Sequence, residues 1–82
     1  MRVSTKDYKS NDLFRIIREY SGLSQDEISK LAGKKNRYWA KDIENGRNRF
    51  YFDDLCEICK KCGLNIIIED DKNFKIKNTM NN

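Results

Sequence analysis

The chain has 82 residues, room for one domain with a modest core and none for a second. Lys and Arg number 17 against 13 Asp and Glu, a formal charge of +4 with a sequence pI near 9.0, so the surface is drawn to a polyanion. No run approaches the roughly 20 apolar residues that span a bilayer, and the opening MRVSTKDYKS lacks the apolar heart of a secretion signal. No membrane partner and a cytoplasmic location are therefore expected, and in that reducing compartment the three cysteines are expected as thiols.

Residues 1–9 are polar and form no clear element. The first predicted helix runs over 11–21, with Leu13, Phe14, Ile17 and Tyr20 at helical spacing, Ser10 or Asn11 as its cap and Gly22 as its stop. Ser24-Gln25-Asp26-Glu27 reads as a capping box: Ser24 accepts from the Glu27 amide while Glu27 reaches back to the Ser24 amide. A short helix follows to Ala32 and buries Ile28 and Leu31.

Gly33 supplies a tight turn, and Lys34-Lys35 lead into a third helix that Asn36 caps and Gly46 ends. Two short helices on a glycine turn form a helix-turn-helix unit. Projected at 100° per residue, Asn36, Trp39, Ala40 and Ile43 share the packing side, with Arg37, Tyr38, Lys41 and Asp42 opposite.

A fourth helix is predicted from about Phe52 to Cys62 through Phe52, Leu55, Ile58, Cys59 and Cys62, stopped by Gly63. Asn65-Ile66-Ile67-Ile68-Glu69 is a β-branched run, and Phe74-Lys75-Ile76-Lys77 alternates after a turn-like 70–73, so a terminal strand or hairpin over about 65–77 is expected before an Asn-rich, frayed 78–82. A lone hairpin is marginal in water. Pairing of Ile66, Ile67 and Ile68 with the same strand of a second subunit gives an expected homodimer. The expected architecture is thus a single, mainly α domain over 1–82: a helix-turn-helix core at about 11–64 in four or five helices, then a C-terminal strand or hairpin.

Leu23-Ser24-Gln25-Asp26-Glu27-Ile28-Ser29-Lys30-Leu31-Ala32-Gly33, Ile43-Glu44-Asn45-Gly46 and Leu55-Cys56-Glu57-Ile58-Cys59-Lys60-Lys61-Cys62-Gly63 together resemble the Cro and phage-repressor family, also called the xenobiotic-response-element family, over roughly residues 12–64. The resemblance implies that the third helix lies in the major groove of double-stranded DNA, with Lys35, Asn36, Arg37, Tyr38 and Lys41 at base-contacting positions. It places Gln25 against the DNA backbone and makes the Asn45-Gly46 turn, with Arg47 and Arg49, a phosphate-binding loop. Glu44 is expected to be structural. Between Gly33 and Ile43 the chain holds one residue more than the usual family spacing, near Tyr38-Trp39, which rotates the following positions by about 100°. The Ile66–Ile68 run also resembles antitoxins of two-gene toxin systems, which implies a toxin protein as a further partner.

Charge agrees with a DNA partner. From Lys34 to Arg49 there are six cations, at 34, 35, 37, 41, 47 and 49, against Asp42 and Glu44, a local balance of six minus two, or +4. Lys34 therefore joins the phosphate-contacting set. Arg37 has the planar fork that addresses guanine, and Asn36 suits adenine provided its side chain is not consumed as a cap. Trp39 belongs to the apolar side and is expected in the core.

Cys56, Cys59 and Cys62 have C-x-x-C-x-x-C spacing, but the set has no fourth cysteine and the chain no histidine. On a helix they fall within an arc of about 120° and are expected to pack, with no metal and no cofactor. Asp53-Asp54 suits a helix's opening turn and Asp70-Asp71 a loop. With no glycine-rich phosphate loop and no nucleophile–histidine pair, no enzyme is expected.

Overall fold

The computed structural model describes residues 1–70. Four helices follow in chain order: α1 (Ser10–Tyr20), α2 (Gln25–Leu31), α3 (Trp39–Glu44) and α4 (Phe52–Cys62). All four predicted helices are present. The described part of the C-terminal segment, residues 65–70, carries no strand, and residues 71–82, with the second half of the expected hairpin, lie outside the described residues. No helix among the described residues is long and apolar enough to cross a membrane.

The helices end alike. Gly22, Gly33, Gly46 and Gly63 have φ between 72° and 76°, the left-handed region that a side chain strains to enter. Across each, an amide reaches back five residues to a carbonyl: Leu23 to Arg18, Lys34 to Ser29, Arg47 to Asp42 and Leu64 to Cys59, at 2.8–3.1 Å. This six-to-one bond closes a helix and turns the chain.

The core forms where one stripe of each helix converges. Phe14 and Ile17 from α1, Ile28 from α2, Trp39, Ala40 and Ile43 from α3 and Ile58 from α4 make one buried cluster, with Leu13, Leu23, Leu31, Phe50, Leu55 and Leu64 packed around it. Phe14 sits at its centre, fully buried. The rings of Trp39 and Phe50 meet it edge-on at centroid distances of 5.5 and 4.8 Å, the geometry that sets a positive ring edge on a negative face.

Several local expectations are corrected. Helix α1 begins one residue early, at Ser10, and Lys9 stands at its cap position without a side-chain bond; Asn11 instead turns inward and donates to the Glu44 carbonyl at 3.4 Å. Tyr20 and Phe52, counted in the apolar stripes, are both exposed, at 60% and 61%, each at the end of its helix. Cys59 is buried while Cys56 and Cys62 are half-buried thiols. Burial, reinforced by the neighbouring Cys62 and Cys56, pushes the Cys59 thiol up, which keeps it protonated and unreactive. Among the described residues no group of three His, Cys, Asp or Glu is arranged to hold a metal ion.

The capping box at α2 is present in both directions, Glu27 N–H to Ser24 Oγ at 3.0 Å and Ser24 N–H to Glu27 Oε1 at 2.7 Å. The Ser24 backbone N–H, and then its side chain, hold the Glu27 carboxyl below its ordinary 4.5. A depressed carboxyl stabilises the fold above its unfolded value and loses that contribution as pH falls through the lower, folded one. Urea unfolding followed from pH 6 downwards should therefore show an acid loss of stability that is shallower in Glu27→Ala; equal acid slopes in the two chains would contradict it.

Candidate nucleic-acid interface

Helix α3 is six residues long, too short to be stable by itself, and has no side-chain cap of its own: the cap position is Tyr38. The cap comes from another helix. The buried Ser29 hydroxyl of α2 donates to the Gln25 carbonyl at 2.9 Å and accepts from the Ala40 amide at 3.2 Å, so one side chain bonds back within α2 and holds the first turn of α3. The far end of α3 is held by Glu44. Its carboxylate accepts from Arg18 Nε at 2.5 Å and Nη2 at 3.1 Å, and from Gln25 Nε2 at 3.2 Å. Arg18 and Glu44 side chains are only 16% and 8% exposed, and the bond to Glu44 raises the Arg18 guanidinium above its ordinary value against the opposing effect of burial.

These ties decide which way α3 faces. Trp39, Ala40 and Ile43 are buried, while Lys41 is exposed and Asp42 half-buried. Ahead of the helix, Lys35, Asn36, Arg37 and Tyr38 are all exposed. The predicted helix start is corrected here. Asn36 does not cap α3; its Oδ1 accepts from the Tyr38 amide at 2.9 Å, its carbonyl from the Trp39 amide at 3.1 Å, and this tight turn delays the helix to Trp39. The turn also takes Asn36 off the packing side, where helical projection had put it.

The predicted site residues divide into two sets. Lys35, Asn36, Arg37 and Tyr38 form one continuous outward edge, and Lys41 stands on the same side one turn on. Arg37 lies 5.5 Å from the Tyr38 ring centroid and 3.9 Å from Asp26 Oδ2, with its side chain 70% exposed. Arg47 and Arg49 are exposed in the α3–α4 loop. Lys35, Lys41, Arg47 and Arg49 make no ion pair among the described residues.

The other set is already engaged. Gln25 points into the fold towards Glu44. Lys34 is 3.1 Å from Asp54 Oδ1 and lies over the Trp39 ring at 5.2 Å, a cation–π contact. In the Asn45-Gly46 turn the amides are used inside the chain: Asn45 to Lys41, Gly46 to Ile43, and both Arg47 and Asn48 to Asp42. The loop therefore presents its arginine side chains, and Gly46 contributes a bend. Asn36 is likewise changed in character. With Oδ1 held by the Tyr38 amide, its Nδ2 donor is free and its acceptor is partly spent, which disfavours the paired donor and acceptor that adenine asks for.

Ser29 and Gln25 are the residues that sequence reasoning missed as organisers. Their helical register, four apart on α2, was legible; their partners on another helix were not. Compared with known proteins, the sequence matches no family model and no curated protein.

Two substitutions measure the ties on α3. Glu44→Ala strands a mostly buried guanidinium and should cost about 2–3 kcal/mol, below the ~3–5 of a fully buried pair because Arg18 retains some water. Ser29→Ala leaves the Ala40 amide without its acceptor and should cost about 1–3 kcal/mol. Urea midpoints unchanged in either variant would refute its tie.

Proposed function

We propose that the chain is a sequence-specific DNA-binding regulator, a homodimeric repressor that lays the leading turn and outer side of α3 in the major groove. The observation that carries this reading is the exposed edge Lys35-Asn36-Arg37-Tyr38 with Lys41, set on a helix whose back is buried and whose two ends are tied to α1 and α2. A groove-reading element needs that combination, since rigid support fixes which side chains meet which base pairs. The resemblance of residues 12–64 to Cro and phage repressors likewise gives the third helix the groove-reading part. Arg47 and Arg49 supply phosphate contacts that position the protein, and each contact adds about 0.9 to the fall of log affinity per log unit of salt.

The dimer rests on Ile66, Ile67 and Ile68, which are 42%, 78% and 91% exposed. In an extended segment successive side chains point to opposite faces, so one face of one domain cannot cover all three. Pairing with the same segment of a second subunit forms the expected strand, satisfies its backbone edge and sets the three isoleucines beside their counterparts, and it sets two α3 helices to bind half-sites about 34 Å apart.

Footprinting of the purified protein on the DNA upstream of its own reading frame should give a protected, near-palindromic site whose affinity falls steeply with salt. Arg37→Ala should lose about 1–3 kcal/mol of specific binding if this residue reads a base; a footprint indifferent to sequence and salt would sink the proposal. In sedimentation equilibrium the wild-type chain should be a dimer and Ile67→Glu a monomer with weakened operator binding. A wild-type chain that stays monomeric at micromolar concentration would remove the dimer.

A further inference from the structure

The hydrogen-bonding character of the exposed edge restricts what it can read. Lys35 and Arg37 carry donors only. Asn36 carries both kinds of group, but one lone pair of its Oδ1 is spent on the Tyr38 amide at 2.9 Å, while its Nδ2 has no partner among the described residues. Lys41, one turn on, is again a donor. Two carboxylates lie nearby: Asp26, 57% exposed, is paired with Arg37 at 3.9 Å, and Asp42 is half-buried one turn after Tyr38, to whose carbonyl its amide bonds. Within Lys35–Arg37 the side-chain groups are thus mainly donors, the Lys35 ammonium, the Asn36 Nδ2 and the Arg37 guanidinium, against the one lone pair that Asn36 Oδ1 keeps beside its bond to Tyr38.

The base pairs answer such a surface unequally. In the major groove guanine presents two acceptors, N7 and O6; adenine pairs an acceptor with an amino donor, thymine offers one acceptor beside a methyl, and cytosine offers an amino donor. An adenine or cytosine amino group set against the Lys35 and Arg37 side chains would lose its water and meet donors only, a cost that a buried unpaired donor does not recover. Guanine alone satisfies adjacent donors without leaving a group unmet. Phosphate oxygens are also acceptors, so donors by themselves suit both guanine edges and the DNA backbone.

Resting on the DNA-binding reading above, we propose that this edge selects guanine, and that each half-site of the operator carries at least two adjacent guanines on one strand, read by Arg37 and the Nδ2 of Asn36. Selection of bound duplexes from a randomised library by the full chain tests it. Adjacent guanines should be enriched in each half-site, and 7-deazaguanine at those positions, which removes the N7 acceptor, should weaken binding about tenfold. A selected site with adenine or cytosine at the read positions overturns the inference while leaving DNA recognition standing. Salt-sensitive binding without base preference also overturns it, assigning the donors to phosphates. No duplex binding at all removes both readings together.

Asn36→Ser provides the second arm, since its hydroxyl can still accept from the Tyr38 amide and adds no charge. The melting temperature should stay within about 2 °C of wild type, while the ratio of selected-site to random-duplex affinity drops about fivefold. An unchanged ratio in a folded variant removes Asn36 from the reading edge.

Discussion

Everything on the outward side of this protein depends on α3 being held, because six residues cannot hold themselves. An isolated helix of this length loses more chain entropy than its few hydrogen bonds return. Its order is imposed from both ends, by the Ser29 hydroxyl at Ala40 and by the Glu44 carboxylate gripped by Arg18 and Gln25. Between these points Trp39, Ala40 and Ile43 sink into the core. The two polar ties act differently: the hydroxyl fixes where the helix starts, and the ion pair fixes its roll and tilt against α1.

The same network explains why the proposed reading surface is the turn ahead of the helix more than the helix itself. Asn36 uses its own carbonyl groups to brace residues 36–39. Four side chains are thereby lifted clear of the packed face on a short, internally bonded support. Asp54 and the Trp39 ring share the Lys34 ammonium, which ties the start of this support to α4.

Much of the helical layout was legible because the signals were local. Four glycines marked four helix ends, the Ser24–Glu27 box marked a start, and the periodic Phe14, Ile17, Ile28 and Ile58 marked the buried stripes. Errors arose where a residue's role is decided by something distant along the chain. Asn36 reads equally well as the cap of a helix and as the brace of a turn, and only the packing of Trp39 selects the second. Gln25 and Lys34 look free in sequence because Glu44 and Asp54 lie 19 and 20 positions away. Tyr20 and Phe52 keep helical spacing but stand at the ends of their helices and are exposed, where periodicity ceases to predict burial. The Ile66–Ile68 run differs in kind: a strand is a relation between two segments, and a partner for that segment is not contained in residues 1–70.

The single tryptophan opens α3 and lies beneath the Lys34 ammonium. An indole's emission shifts with the charge near its ring, so this helix comes with a built-in optical gauge. Whatever draws the lysine away, or loosens the ring from Phe14, changes the colour of the light before any larger rearrangement is needed, and no dye has to be attached to follow it.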